Sequence, residues 1–402
     1  MPDSNAGAGP LSGVTVLDAS RVLSGPFCTM QLADLGAEVI KVERPDGGDQ
    51  TRGWTPPDYG DESAYYLSIN RNKRSVTLNL ASEEGREVFR TLAADADVVV
   101  ESFRVGRMES WGLGYDALRE LNDDLVYCKI SGYGETGPDK HRPAYDLIVQ
   151  AEGGLMSITG EEGEPPVRVG VAIADILAGM YASQSILATL FRREFADAGG
   201  EKVEVSLFDS IVAMQTYMAS YYFATGDPPG RMGSRHPTIA PYQAFPTQDS
   251  YVVVACASEH IWPRLCEALD LPELVEDDRF ATNAARVDNR EALEEILTKE
   301  FKVSRTDEAV TLLREHDVPA SPVNDMADVF DHEQVRARGM RQSVAHPTVG
   351  DVEMPGIPMN FAKMATSIRT HPPRLGEHTD EILREHGFAD ADIDRFHEED
   401  VV

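Results

Sequence analysis

From Val14 onward, short runs rich in β-branched residues alternate with longer stretches whose apolar positions recur at helical spacing. VTVLDAS reads as a strand, PFCTMQLADLG as a helix and AEVIKVER as a second strand. After a Gly-, Pro- and Asp-rich loop at residues 45 to 62 the pattern resumes with SVTLNL, the helical SEEGREVFRTLAADA, DVVVES, a further helical segment and LVYCKISGYG. This order predicts right-handed crossovers on a mostly parallel sheet, because a strand reaches a parallel neighbour only by passing over one face. The expected fold class is α/β, with a Rossmann-like large domain. Beyond it, KVEVSLFD predicts a strand, SIVAMQTYMASYYFATG one long helix, and both signals vanish in DPPGRMGSRHPTIAPYQAF. YVVVA opens a new unit, with helical segments near 261 to 269 and 290 to 315. The organisation expected is a large domain over residues 1–225, a linker and smaller α+β domain over 226–330, and a return segment over 331–402 that packs on the large domain.

VRVGVAIADILAGMYASQSILATLF, from Val167 to Phe191, is an apolar run that holds a single carboxylate, Asp175. Burying an ionised carboxylate without partners costs several kcal/mol, so such a residue is either satisfied or used. One reading makes Asp175 an N-cap, since Ile176, Leu177, Met180, Ile186, Leu187 and Leu190 follow at roughly helical spacing. The other makes it a nucleophile at the edge of a dry pocket, able to attack an activated acyl group. The two are compatible, because a helix N-terminus also stabilises the charged form.

Composition narrows the partners. Against 68 acidic residues stand 37 basic ones, a net charge of -31, which disfavours nucleic acid because phosphate binding needs a concentrated basic surface. Eight of the basic residues are lysine and 29 arginine, and so acidic a surface suits solubility in concentrated salt, where screening weakens self-repulsion. Cys28, Cys128, Cys256 and Cys266 show no CxxC spacing, which predicts buried free thiols in a reducing compartment and no zinc site. MPDSNAGAGPLSG has neither a basic region nor an apolar core, and it reads as a flexible tail, not a signal peptide. No window of membrane-spanning length is free of charge, so the expected location is cytoplasmic. A Rossmann-like sheet also invites GxGxxG after its first strand, yet Arg21-Val22-Leu23-Ser24-Gly25-Pro26 stands there, and dinucleotide binding is not supported. The crevice at the strands' carboxyl ends remains the expected ligand site, with Ser24, Arg44 and Arg104 near it.

Seven ordered segments, LSGVTVLDASRVLSGPFCTMQLADLGAEVIKVERP, NRNKRSVTLNL, AYDLIVQAEGGLMSITG, VGVAIADILAGMYA, VEVSLFDSIVA, GSRHPTIAPYQAF and LGEHTDEIL, resemble the family III CoA-transferases over nearly the whole chain. The resemblance is to enzymes of the formyl-CoA transferase and carnitine CoA-transferase type, and with the acidic composition to a haloarchaeal succinyl-CoA:mesaconate-like transferase. It implies an interlocked homodimer of two-domain subunits, acyl-CoA as substrate, no tightly bound cofactor and no metal. It also implies that Asp175 is the nucleophile, carrying CoA as an aspartyl thioester between a donor such as succinyl-CoA and an acceptor dicarboxylate such as mesaconate. Carried onto matching positions, the CoA site would use Val22, Leu23, Ser24, Arg44, Leu78, Ser102, Phe103, Arg104 and Tyr145.

Departures from the family pattern bear on substrate. Leu23 replaces the glutamine of formyl-CoA transferase, and GSRHP replaces its glycine-rich loop, which argues against formyl and oxalyl groups. Tyr145 precedes Asp146 where the related acyl-CoA racemases and epimerases, the alternative reading, place a histidine for α-proton transfer. Asp146, Arg235 and His236 are the expected acceptor-binding residues, an arginine fork matching a second carboxylate.

Overall fold

The computed structural model describes residues 9–196 and 198–402. Residues 1–8 of the expected tail lie outside the described residues; from Gly9 the backbone is already fixed, with Leu11 N–H donating to Leu35 O at 2.9 Å.

Strands β1 (Thr15–Ala19), β2 (Glu38–Glu43), β3 (Lys73–Thr77), β4 (Val98–Glu101), β5 (Val126–Ser131) and β6 (Lys202–Ser206) form one sheet in the order β3-β2-β1-β4-β5-β6. Every pairing in it is parallel. The chain starts mid-sheet, runs to one edge, returns beside β1 and runs to the other, so the connections leaving β1 and β4 diverge over opposite faces. Covered on both faces, strands such as Val98–Val100 are apolar without alternation. Leu17, Ile40, Val76, Phe89, Val99 and Tyr127 share one core with Ile382, Leu383, Ile393 and Phe396 of the C-terminal segment. That segment is tied to the sheet by Asn79 N–H, which donates to Val401 O at 2.8 Å.

Two compact units emerge. The first holds the chain up to Leu155, Val169–Tyr217 and Glu333–Val402; the second holds Met156–Arg168 and Met218–His332. The second unit has an antiparallel sheet of β7 (Tyr242–Pro246), β8 (Tyr251–Ala255) and β9 (Ala320–Pro322), with β8 central. Its core gathers Phe245, Trp262, Phe280, Phe301 and Leu313. Arg286 is fully buried there, donating to Ala240 O at 2.7 Å, Phe280 O at 3.0 Å and Glu259 at 2.9 Å.

Four helices of the first unit position the site: α1 (Ser24–Asp34), α2 (Ala64–Ile69), α3 (Asp146–Glu152) and α4 (Ile173–Ala196). Three local expectations change. The long helix over SIVAMQTYMASYYFATG is two, Leu207–Met214 and Thr216–Thr225, separated where Thr216 takes a φ of 40°. PYQAF contains strand β7 because β8 offers its edge as a partner. Asp175 is not an N-cap: α4 begins at Ile173, which puts Asp175 inside its first turn.

Among the described residues α4 is long and apolar enough to cross a membrane by length and composition. It packs against α1 through its small side chains: Ala178, Gly179, Ala182 and Ser183 are buried, whereas Met180 and Phe191 are exposed. The four cysteines are buried free thiols.

Candidate active site

The turn between β1 and α1 is held from below by buried charge. Val22 sits at φ 71°, a left-handed conformation that a β-branched residue adopts only under constraint. Its N–H donates to the Asp49 carboxylate at 3.2 Å, and Asp49 is paired with Lys41 at 3.0 Å, both side chains fully buried. Lys41 also donates to Ser20 O at 3.1 Å. Lys73 reaches from β3 to Asp18 at 3.1 Å, to Asn70 at 2.9 Å and to Pro26 O at 2.9 Å. Lys129 of β5 pairs with Glu101 at 2.7 Å and donates to Phe103 O at 2.6 Å. Three strand lysines thus fix the chain where it leaves the sheet. Burial alone would raise the Asp18 carboxyl, but Lys73, Lys41 and the Ser20 and Thr29 hydroxyls outweigh it and hold the group at about 2.

A cavity of about 480 Å³ opens at the carboxyl ends of β1, β4 and β5. This is the switch point of the sheet, where ligands of doubly wound folds are expected. Of the residues singled out by sequence, Val22, Ser24, Ser102, Phe103, Arg104, Tyr145 and Asp175 line it. Arg44 and Leu78 line an adjoining cleft of about 270 Å³, to which Phe103 also contributes. Leu23 is buried and lines neither cavity. Both Asp146 oxygens are engaged within the protein, one accepting from Ala174 N–H at 2.8 Å and the other from the Gln150 side-chain amide at 2.7 Å. Arg235 and His236 belong to the second unit, where Arg235 forks onto Glu294 at 2.9 and 3.1 Å.

Asp175 is half-buried beside that cavity. Burial, and then the nearby Asp146 charge, push its carboxyl up to about 7, while hydrogen bonding from Ser24 opposes the rise. The opening residue of α1 is therefore a donor to this carboxylate. Tyr65 of α2 is close enough to feel the same charges: burial, and then Asp175 and Asp146, raise its hydroxyl to about 12. Because α4 starts at Ile173, the Asp146 carboxylate supplies its cap through Ala174 N–H, which explains why the chain becomes helical before Asp175.

Sequence reasoning missed several of these groups. Lys140, His141 and Arg142 line the cavity, and three consecutive basic side chains in so acidic a chain were a readable signal. Lys41 and Lys129 interrupt otherwise buried strands, and a lysine there requires an acceptor. Tyr65 carried no such signal, because α2 is brought to Asp175 only by the fold. A half-buried carboxylate with a raised pKa, hydrogen-bonded by Ser24 and facing a cavity walled by cationic and apolar side chains, suits attack on an anionic acyl thioester.

Residues 11–379 match the CoA-transferase family III profile. The chain is 43% identical over 376 residues to human succinyl-CoA:glutarate CoA-transferase, an alignment covering 94% of this chain and 86% of the relative. It is 40% identical over 390 residues to the succinyl-CoA:mesaconate CoA-transferase of Haloarcula marismortui, covering 94% of this chain and 97% of that one. A crystal structure of a CAIB/BAIF family protein from Brucella suis superposes with a TM-score of 0.85 at 40% identity, covering 94% of this chain and all of that one. With a profile match across most of its length, close relatives at both ends of the alignment and a doubly wound sheet that opens on a carboxylate-bearing cavity, this chain belongs to CoA-transferase family III.

Proposed function

We propose that this transferase moves CoA from succinyl-CoA to a dicarboxylate of the glutarate or mesaconate class through covalent intermediates on Asp175. The observation that carries the reading is the Asp175 carboxylate, raised to about 7 and placed on the cavity wall. A carboxylate of higher pKa is a better nucleophile, so burial strengthens its attack once it is ionised.

The Asp175 oxygen attacks the donor thioester carbonyl; the C–S bond breaks and CoA leaves as thiolate, giving a mixed anhydride. The thiolate then attacks the aspartyl carbonyl and expels the donor acid as its carboxylate, leaving Asp175 as a CoA thioester. The acceptor carboxylate attacks that thioester, again releasing thiolate, and the thiolate takes the acceptor acyl group and frees Asp175. Each attack passes through an oxyanion that needs fixed donors, and the Ser24 hydroxyl, already bonded to Asp175, is the group at hand. Arg21, Arg104 and Lys140 supply positive charge for the CoA phosphates, and the smaller cleft between Arg44, Leu78 and Phe103 suits the adenine.

Succinyl-CoA as donor is supported by the names of both relatives, which differ in acceptor, so the acceptor is the open choice. Arg235 contributes to acceptor binding in this reading only by releasing Glu294. An interlocked homodimer is supported by apolar side chains left in water on each unit, Phe191 and Phe195 on the first and Phe223 on the second. The acidic composition supports function in high salt and the absence of disulfides supports a reducing, cytoplasmic setting.

Mixing the protein with succinyl-CoA and a panel of dicarboxylates in high salt, and following new CoA esters by mass spectrometry, tests the reading. One or more C4 to C5 diacids should accept CoA, with a mass adduct on Asp175 during turnover. Exchange of α-hydrogen for solvent deuterium without transfer to any acid would replace it with the racemase alternative.

A further inference from the structure

We propose that Asp146 is a positioning residue for the nucleophile: its carboxylate caps the helix that carries Asp175, and its negative charge makes the neutral, acylated forms of Asp175 more favourable relative to the free carboxylate. The inference rests on Asp175 being the acylated group.

The geometry joins the two functions in one side chain. Asp146 opens α3, and one of its oxygens accepts from Ala174 N–H at 2.8 Å, the residue immediately before Asp175. Its other oxygen accepts from Gln150 Nε2 at 2.7 Å, and Gln150 Oε1 in turn accepts from Val169 N–H at 2.9 Å. Residues 169 to 174, the segment leading into the nucleophile, are therefore stapled to α3 at both ends by a single chain of hydrogen bonds. A neutral amide could still accept from Ala174 N–H, but its NH2 would face the Gln150 NH2, so only a carboxylate completes the chain. The carboxylate also places a second negative charge beside Asp175 in a half-buried site.

The groups acting on Asp175 are Asp146 from α3 and Ser24 from α1, with Arg21, Arg104, Lys140, His141, Arg142 and Tyr145 elsewhere on the cavity wall. Of these, Asp146 opposes ionisation and Ser24 favours it. When Asp175 becomes an anhydride or thioester its charge disappears, and with it the repulsion. The free carboxylate is the state that Asp146 disfavours, so the pair shifts the enzyme toward its covalent forms without touching substrate.

The test compares wild type, Asp146→Asn and Gln150→Leu in the pH profile of kcat/KM, in the steady-state fraction of enzyme carrying CoA by intact mass, and in thermal unfolding. Asp146→Asn keeps an oxygen for Ala174 N–H but removes both the charge and the bond from Gln150, the bond that Gln150→Leu also breaks with the charge kept; in Asp146→Asn the acid limb should move to lower pH by about one unit, and the CoA-bearing fraction near neutral pH should fall by up to about tenfold. Gln150→Leu loosens the staple and leaves both charges, so it should lower the unfolding temperature and leave the limb in place. A fully active Asp146→Asn enzyme with an unmoved limb overturns the proposal, as does Gln150→Leu moving the limb equally. Should Asp146→Asn fail to fold, Asp146→Ser, whose hydroxyl can also accept from Ala174 N–H, takes its place: a carbodiimide-labelling midpoint of Asp175 lower than in wild type supports the charge coupling, and an unmoved midpoint overturns it. Failure of the underlying reading looks different, since wild type would then form no adduct on Asp175 at all.

Discussion

Gly179 of α4 faces the backbone carbonyl of Ser24 in α1 so closely that a Cβ built on it would lie 2.6 Å from the oxygen. The neighbouring atoms include Cys28 N at 3.3 Å, so the obstruction is mostly backbone and cannot rotate away. Asp175 stands one helical turn before Gly179, on the same face of α4. The approach of the two helices at Gly179 is what brings the Asp175 carboxylate against Ser24.

Gly179→Ala should therefore separate α4 from α1, with a loss of about 1–3 kcal/mol of stability. A displacement of the nucleophile by as little as 1 Å can cost about 100-fold in rate, so the transfer rate should fall more than stability alone explains. Denaturant unfolding and initial rates on the same preparation check this; unchanged turnover would show that α4 can shift without moving Asp175.

Asp175→Asn should abolish transfer and at the same time stabilise the fold at alkaline pH. A carboxyl raised to about 7 in the folded protein binds its proton more tightly there than in the unfolded chain, so its contribution to stability is greatest at low pH and declines as pH rises through about 7. At pH 8 the variant should exceed wild type by on the order of 1–2 kcal/mol, allowing for solvent screening of a half-buried group. Near pH 4 the difference should vanish. Unfolding curves at both pH values read it directly.

Lys73→Met should take from Asp18 its direct ion-pair partner, leaving the carboxylate only Lys41 and two hydroxyls, and destabilise the protein by about 3 kcal/mol. Asp18 behaves in the opposite sense to Asp175: its folded pKa is depressed to about 2, so the stability it contributes is present above its unfolded value and is lost as pH falls toward 2. Wild type should thus lose stability on acidification through this range, and the variant should lose less over the same interval. A pH series of denaturation midpoints in the two proteins tests the sign.

Lys140→Ala should raise KM for acyl-CoA by up to about tenfold and leave kcat nearly unchanged, because a charge-assisted contact to phosphate is made equally in the ground and transition states. The salt dependence of KM should become shallower in the variant. A change confined to kcat would remove Lys140 from CoA binding.

Much of the sheet was legible in advance because its signals are local. Thr15–Ala19, Glu38–Glu43 and Val126–Ser131 are apolar runs of strand length between helical periods, and burial on both faces writes that pattern into the chain. Asp175 stood out for a similar reason: one acid in an apolar run raises the question of what satisfies it. Its place in the helix was not legible, because the cap of α4 comes from Asp146, 28 positions away in sequence. Helical periodicity likewise marked Met180 as apolar, yet α4 buries Ala178, Gly179 and Ala182, since close approach of two backbones selects small residues over large ones.

Arg235 gives the converse lesson. Residue type suggested an anion-binding fork, and the fold supplies that anion internally as Glu294. Lys41, Lys73 and Lys129 likewise find their acceptors within the fold, at Ser20 O, Asp18 and Phe103 O, on a neighbouring strand or the loop that follows one. By itself the sequence determined the parallel α/β class and the candidate carboxylate, because burial and periodicity are written residue by residue. Only the tertiary structure decided how that carboxylate is charged, which hydroxyl donates to it and which glycine sets its position, because each depends on groups that the chain brings together from distant segments and that have no local signature.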